Sequence, residues 1–332
     1  MHVLVTGAAG FIGSFLVRQL VEQGHTVRGG DRTPMDDLPL DTSVVGDLAD
    51  PAVAREAVRG PVERVYHLAA ARGDWGISEE EYYHDNVNVT KSLLEAGRKE
   101  GVRDWVFYST VSTMGPSDIP LDEEAALQPA VPYGRSKAEA ERLFHDFAAE
   151  RPSCRILVVR PSAVYGPENP PNTNIYRLID AIYNRRFAMV GPGQALKTTS
   201  YIENLLMATF FLVEHMERGL QTYIYVDEPV LTTKKLVTRI YEFLGKTPPS
   251  WHVPLGLARP VARVSDVAAD LIDVDFPVTA ARIEKFNRST NFDASKIRQE
   301  GFEQPVSNEE ALRKTVAWHL RSEYDVSLSK DA

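Results

Sequence analysis

A turn near the start of the chain constrains its fold more than any other feature. Val3-Leu4-Val5 is an uninterrupted apolar run, Gly7-Ala8-Ala9-Gly10-Phe11-Ile12-Gly13 follows at once, and residues 12–23 have helical periodicity. A strand that turns over bare glycines into a helix lets a pair of phosphates reach the backbone, because no side chain stands in the way. The helix N-terminus then offers free N–H groups and the positive end of its dipole. The spacing is G-x-x-G-x-x-G, not the G-x-G-x-x-G of the commoner dinucleotide fold. In a strand–turn–helix setting it points to a bound dinucleotide.

The first half of the chain continues the same alternation. Short apolar runs at 26–30, 44–45, 65–68, 105–108 and 156–159 read as strands, and residues 80–100 and 133–150 as long helices. Strands alternating with helices imply right-handed crossovers and a parallel sheet covered on both faces. The interior strands are apolar at successive positions, as burial on two sides requires. The expected fold is α/β: a Rossmann-type, doubly wound parallel sheet over residues 1–167, with a smaller C-terminal α/β substrate lobe. After Pro167 the character changes. Residues 219–245, a strand at 223–226 and a helix at 234–244 stopped by Gly245, read as returning to the main sheet. Residues 168–218 and 246–322 would form the lobe. Its last helix opens on Ser307-x-x-Glu310, a capping box, and the polar tail after Arg321 reads as loose.

Composition excludes several classes of function. The 332 residues carry 37 basic and 46 acidic side chains, a net charge of −9 with no basic block, so a nucleic-acid partner is not expected. Cys154 is the one cysteine, which excludes an internal disulfide framework and a cysteine zinc site and fits a reducing cytoplasm. No metal is expected. The most apolar stretch, 205–213, is too short to span a bilayer, and the N-terminus lacks the pattern of a signal peptide. These features fit a cytoplasmic protein.

Asp31 ends the second strand, where a carboxylate can bind the adenosine ribose hydroxyls and repel a 2′-phosphate. That favours NAD as cofactor. Arg32 follows directly and could receive a 2′-phosphate, so NADP stays open. Asp47, in Gly46-Asp47-Leu48, is placed to meet the adenine amine, although an isolated Asp is as readily a turn residue. Farther on, Tyr133-Gly134-Arg135-Ser136-Lys137 puts a phenol and an ammonium one helical turn apart on one face. A tyrosine near pKa 10 is a poor base at neutral pH. A nearby lysine charge favours the phenolate, which can then take a proton from an alcohol while hydride leaves the same carbon.

Five segments together carry a resemblance. Thr6-Gly7-Ala8-Ala9-Gly10-Phe11-Ile12-Gly13, His67-Leu68-Ala69-Ala70, Asn86-Val87-x-x-Thr90, Tyr133-x-x-x-Lys137 and Arg160-Pro161-x-x-Val164-Tyr165-Gly166-Pro167 stand in this order. Phe292-Asp293-x-Ser295-Lys296, Gly301-Phe302-x-x-Pro305 and Trp318 follow. The chain resembles, over nearly its whole length, the extended short-chain dehydrogenase/reductases, in the NAD-dependent epimerase/dehydratase branch.

The resemblance implies roles for further residues. Thr110, Tyr133 and Lys137 would be catalytic, with Thr110 polarising the reacting oxygen and Lys137 also holding the nicotinamide ribose. Gly7, Gly10, Phe11, Ile12, Gly13, Asp31, Arg32, Asp47, Leu48, Leu68, Ala69, Ala70, Asn86 and Ser162 would line the cofactor. Arg72, Ser112, Asn174 and Lys197 would face the substrate. Several positions depart from the family pattern: Met114 replaces a tyrosine, Val89 a glycine and Ala163 an asparagine. Val111 and Ser112 stand where family dehydratases carry Asp-Glu. That shifts weight to a nucleotide-sugar epimerase, with a net NAD(P)-dependent oxidoreductase as the alternative: a 4-keto-sugar reductase, or an enzyme of sterol-like or aldehyde substrates. A homodimer is also implied, through the helices near 87–100 and 133–150, with Leu93, Leu94, Leu143, Phe144 and Phe147 as its apolar positions.

Overall fold

A computed structural model describes residues 1–72, 76–258, 284 and 286–330. Its first strand, β1 (His2–Thr6), is buried from Val3 onward and lies between β2 (Thr26–Asp31) and β4 (Arg64–His67). With β3 (Thr42–Val45), β5 (Asp104–Tyr108), β6 (Arg155–Pro161) and β10 (Gly219–Tyr225) they form a seven-stranded sheet in the order β10-β6-β5-β4-β1-β2-β3. Every pairing in it is parallel. The order reverses beside β1, so the crossovers leave in opposite directions there and open a crevice at the strands' carboxyl ends.

Successive strand residues serve opposite cores, which is why the strands read as unbroken apolar runs. Val3, Val5, Val106, Leu157 and Val159 join Leu16 and Leu20 of α1 (Phe11–Glu22) on one face. Leu4, Trp105, Phe107, Ile156 and Val158 face α2 (Pro51–Val58), α4 (Val89–Glu100) and α5 (Pro132–Glu150) on the other. There Phe107 stacks on Phe144 at 4.6 Å, and Trp105 meets Phe144 and Phe147 edge-on.

That packing corrects the expected dimer seam. Leu93, Leu94, Phe144 and Phe147 are buried in the subunit's own core and Leu143 packs beside them, so they are not free to form a bundle with a second chain. The apolar stripes of α4 and α5 are spent on the sheet.

The long helix expected at 80–100 is divided. A short α3 (Glu79–Tyr83), started by a Ser78–Glu81 capping box, runs into a π-turn over His84–Asn88 before α4 begins. An extra residue per turn re-aims the side chains on either side of it. The C-terminal tail also differs: the last helix, α10 (Asn308–Lys330), continues past Arg321, since no glycine or proline follows to stop it.

Beyond β6 the chain builds smaller units. Parallel β7 (Ala163–Tyr165) and β9 (Thr199–Tyr201) pair, as do antiparallel β8 (Leu196–Lys197) and β11 (Leu231–Thr232). Helices α6 (Asn174–Tyr183), α7 (Ile202–Glu214), α8 (Thr233–Phe243), the short α9 (Ser295–Gln299) and α10 belong to this part of the chain. Strand β10 joins the sheet edge, whereas α8 packs against β11, α6 and α10. The expected lobe at 246–322 lies partly outside the described residues. Among the described residues, no helix is long and apolar enough to cross a membrane.

Candidate active site

The glycine turn is assembled by contacts only glycine allows. Gly7 has φ +68°, its N–H donates to the Gly30 carbonyl at 2.8 Å, and a Cβ there would lie 2.7 Å from the Ala69 nitrogen. A Cβ on Gly13 would lie 2.1 Å from the Gly7 carbonyl oxygen. Gly10 begins α1 with no side chain capping the helix. The N–H groups of that first turn are therefore left for a ligand. Phe11 is buried and Ile12 half-buried against the core.

Around this turn the predicted cofactor residues gather. The Asp31 carboxylate accepts from the Ala9 and Thr33 N–H groups, each at 3.0 Å, which holds it beside the turn at the end of β2. Leu48 is buried beneath Gly30. Asp47 accepts from the Ala49 N–H at 3.0 Å and from Arg32 at 3.1 Å. Burial pushes the Asp47 carboxyl up, but those two donors outweigh it and leave it below its ordinary value. The Leu68 and Ala69 N–H groups donate to the Thr6 hydroxyl at 3.2 Å, fixing the Leu68-Ala69-Ala70 segment against Gly7. His67 lies within hydrogen-bonding distance of the Thr6 and Thr90 hydroxyls beneath that segment, and burial, aided by Lys137, lowers its pKa to about 3.

Asn86, on the π-turn, is buried and donates through Nδ2 to the Ala71 carbonyl and the Ser136 hydroxyl. Its Oδ1 has no partner among the described residues. An orphaned buried acceptor, a backbone approach closed to any Cβ, and a carboxylate tied to the phosphate turn fit a dinucleotide as the ligand.

The acid–base residues sit on the neighbouring strand end and helix. Thr110 follows β5, and its hydroxyl accepts from the Ser112 N–H at 3.1 Å, starting a single 3-10 turn. This turn packs against the first turn of α5 because position 134 is bare: a Cβ on Gly134 would be 2.4 Å from the Ser112 carbonyl oxygen. Tyr133, next to Gly134 in that first turn, has its ring 6.0 Å from that of Tyr82 on α3. Lys137, one turn on, is buried with its Nζ 4.1 Å from the Phe107 ring centre. Burial lowers its pKa to about 7, and Glu141 opposes the shift.

The substrate-side residues are more scattered. Partial desolvation lowers the pKa of Arg72, and the nearby Tyr133 phenol opposes it. Asn174 is exposed at the start of α6. Lys197 donates its Nζ to the Arg288 carbonyl at 2.7 Å. The Ser162 hydroxyl donates to the Thr198 carbonyl at 2.8 Å, so it is engaged inside the protein.

Two groups went unnoticed in the sequence. Glu141, a turn beyond Lys137 on α5, is fully buried and accepts from Arg160 and from the Ser109 hydroxyl. The i, i+4 spacing from Lys137 was the available signal. Asp85 binds Arg32, and no spacing rule connects those two positions.

The architecture and this site define a dinucleotide-dependent α/β enzyme. The family model described as "NAD dependent epimerase/dehydratase family" matches residues 3–226, and the chain belongs to that family. It is 29% identical over 320 residues to an N-acetyl-alpha-D-glucosaminyl-diphospho-ditrans,octacis-undecaprenol 4-epimerase of Escherichia coli O157:H7, covering 96% of this chain and 95% of that one. It is 31% identical over 261 residues to a 2-alkyl-3-oxoalkanoate reductase of Stenotrophomonas maltophilia, covering 74% and 76%. The solved structure of MoeE5 in complex with UDP-glucuronic acid and NAD superposes with a TM-score of 0.78 at 28% identity, covering 97% of this chain and 100% of that one.

Proposed function

We propose that this protein is an NAD-dependent nucleotide-sugar epimerase. The observation that carries the reading is the packing of the turn after Thr110 onto the first turn of α5, the turn that carries Tyr133, with Lys137 buried one turn farther on. NAD, when bound, would supply the hydride acceptor and donor at a sugar ring carbon. Tyr133 removes the hydroxyl proton from that carbon's oxygen and later gives it back. Thr110 orients the same oxygen. Lys137, in its protonated form, favours the phenolate, and it would also hold the nicotinamide ribose. Asp31 would hold the adenosine ribose, the Gly7–Gly13 turn the pyrophosphate, and Asn86 the nicotinamide side. Asn174 and Lys197, in a lobe of residues 168–218 and 246–322, would line the substrate side together with Arg72 and Ser112 of the sheet domain.

Similarity to a structure holding UDP-glucuronic acid and NAD supports the substrate class. The test is incubation with UDP-sugars, without and then with added NADH, followed by proton NMR of the anomeric region and absorbance of the NADH. Interconversion of epimers without net NADH bears the reading out; conversion that consumes NADH one for one rejects it.

A net oxidoreductase of a less polar substrate is the second reading. One observation favours it: the Lys197 ammonium is drawn to the Arg288 carbonyl, away from a pyrophosphate role. The similarity to a 2-alkyl-3-oxoalkanoate reductase agrees with it. We also infer a cytoplasmic homodimer. The unpaired Cys154 supports the compartment, and exposed Tyr83, Leu127 and Val131 beside α3 and α5 support an apolar contact. Sedimentation as a monomer at micromolar concentration rejects the dimer.

A further inference from the structure

Arg32 directly follows Asp31, at the end of β2 where the adenosine ribose of a dinucleotide sits in this fold. An arginine there is the natural partner for a 2′-phosphate, since its planar fork binds phosphate oxygens two at a time. Here the fork is already filled. Nη1 donates to Asp85 Oδ2 at 2.8 Å and Nη2 to Asp85 Oδ1 at 2.6 Å, a bidentate pair. Nη2 also donates to Asp47 Oδ1 at 3.1 Å and lies 3.2 Å from His84 Nδ1. Three chain segments converge on one guanidinium: the end of β2, the loop after β3, and the π-turn over His84–Asn88.

Asp31 takes no part in this cluster. Its two oxygens are held by the Ala9 and Thr33 N–H groups. The two neighbours therefore have separate duties. Asp31 is held beside the glycine turn, while the Arg32 guanidinium is paired with Asp85 and Asp47. With one positive and three negative side chains, Asp31, Arg32, Asp47 and Asp85 together carry a formal charge of −2, which opposes a further anion.

The π-turn explains how one short segment reaches both ways. Asp85 points out to Arg32, and Asn86, the next residue, points in to Ala71 and Ser136. π-turns of this kind are often found at functional sites.

We propose that Asp85 is a cofactor-specificity determinant: by pinning the Arg32 guanidinium to the π-turn it denies a 2′-phosphate its cation and leaves the ribose to Asp31. The inference rests on the dinucleotide site described above. Asp31 then supplies only part of the preference for NAD, and Asp85, which has no place on the cofactor itself, supplies another part.

The experiment is calorimetric titration of the wild type, Asp85→Asn, and Asp85→Asn/Arg32→Met with NAD and with NADP. Asp85→Asn keeps the shape and removes the charge. The pair is partly exposed, so the released Arg32 should tighten NADP binding by about three- to tenfold. NAD affinity should stay within about twofold. The double variant should return NADP to the wild-type level, because the released cation is gone. Asp85→Ser serves as a second release variant, with unliganded melting temperatures confirming that each variant is folded. Unchanged NADP affinity in both release variants overturns the proposal, as does a gain that survives Arg32→Met. A wild type that binds neither dinucleotide overturns the cofactor site and this inference with it, which separates the two failures.

Discussion

Arg160 and Glu141 form an ion pair inside the protein, with Nη2 to Oε2 at 2.6 Å and Nε to Oε1 at 3.0 Å, and neither side chain is more than 5% exposed. It joins β6 to α5 one turn beyond Lys137, so it fixes the helix that carries both Tyr133 and Lys137. Removing one partner leaves the other charge buried and alone, typically a loss of about 3–5 kcal/mol. Glu141→Gln should lose stability on that scale in urea unfolding, and Glu141→Met/Arg160→Met should recover much of it. A Glu141→Gln loss under about 1 kcal/mol would contradict the pairing.

The acid–base assignment predicts an order among three variants. Tyr133→Phe removes one oxygen and should lower turnover by at least about a hundredfold, the lower range for general acid–base catalysis, while NAD still binds. Thr110→Val should lose less, because it removes an orienting hydrogen bond and not the proton carrier. Lys137→Met should impair both turnover and NAD affinity. Retention of most activity by Tyr133→Phe on the true substrate would defeat the mechanism.

Lys137 also predicts a pH dependence of stability. Burial holds its pKa at about 7 in the folded protein, below the ordinary 10.5. Between these values the unfolded chain binds a proton that the folded one does not, so stability should rise with pH. The slope should approach about 1.4 kcal/mol per pH unit. Below about pH 7 both states are protonated and the destabilisation is present in full. Lys137→Met has no such group. Urea midpoints of the two proteins from pH 7.5 to 9.5 should diverge from this slope alone, with the wild type gaining; parallel curves would show that Lys137 titrates normally.

The glycine turn predicts unequal responses to one methyl group. Gly13→Ala would put Cβ 2.1 Å from the Gly7 oxygen, both backbone-fixed. It should cost about 3 kcal/mol or more and abolish dinucleotide binding, since overpacking against backbone cannot be relieved by a rotamer change. Gly10→Ala meets the same oxygen at 3.1 Å. It should lose only about 1 kcal/mol, the scale for alanine at a helix start. Equal losses, measured by thermal unfolding and NAD titration, would rule out the turn geometry.

Much of the molecule is readable locally. The run Val3-Leu4-Val5, the glycine turn and the alternation that follows specify a parallel sheet with helices on both faces, because burial on two sides and the absence of Cβ atoms leave a direct mark on residue type. The same holds for Tyr133 and Lys137, whose spacing of one turn is a property of any helix. Asp31 is legible for a similar reason, standing at a strand end.

Other features depend on what arrives from elsewhere in the chain. The apolar positions Leu93, Leu94, Phe144 and Phe147 look like surplus for a partner until the sheet brings Trp105 and Phe107 against them. The break of the helix at His84–Asn88 leaves no glycine or proline to announce it. Arg32 could serve a phosphate or a carboxylate by its own chemistry, and 53 residues separate it from Asp85, which occupies it.

Local conformations and the chemical groups available are written in residue order, since periodicity, glycine and side-chain type act over a turn of chain. Tertiary structure alone decided which charges are buried, which are paired and which remain available. Those outcomes follow from desolvation and from contacts between distant segments, and no local pattern encodes them.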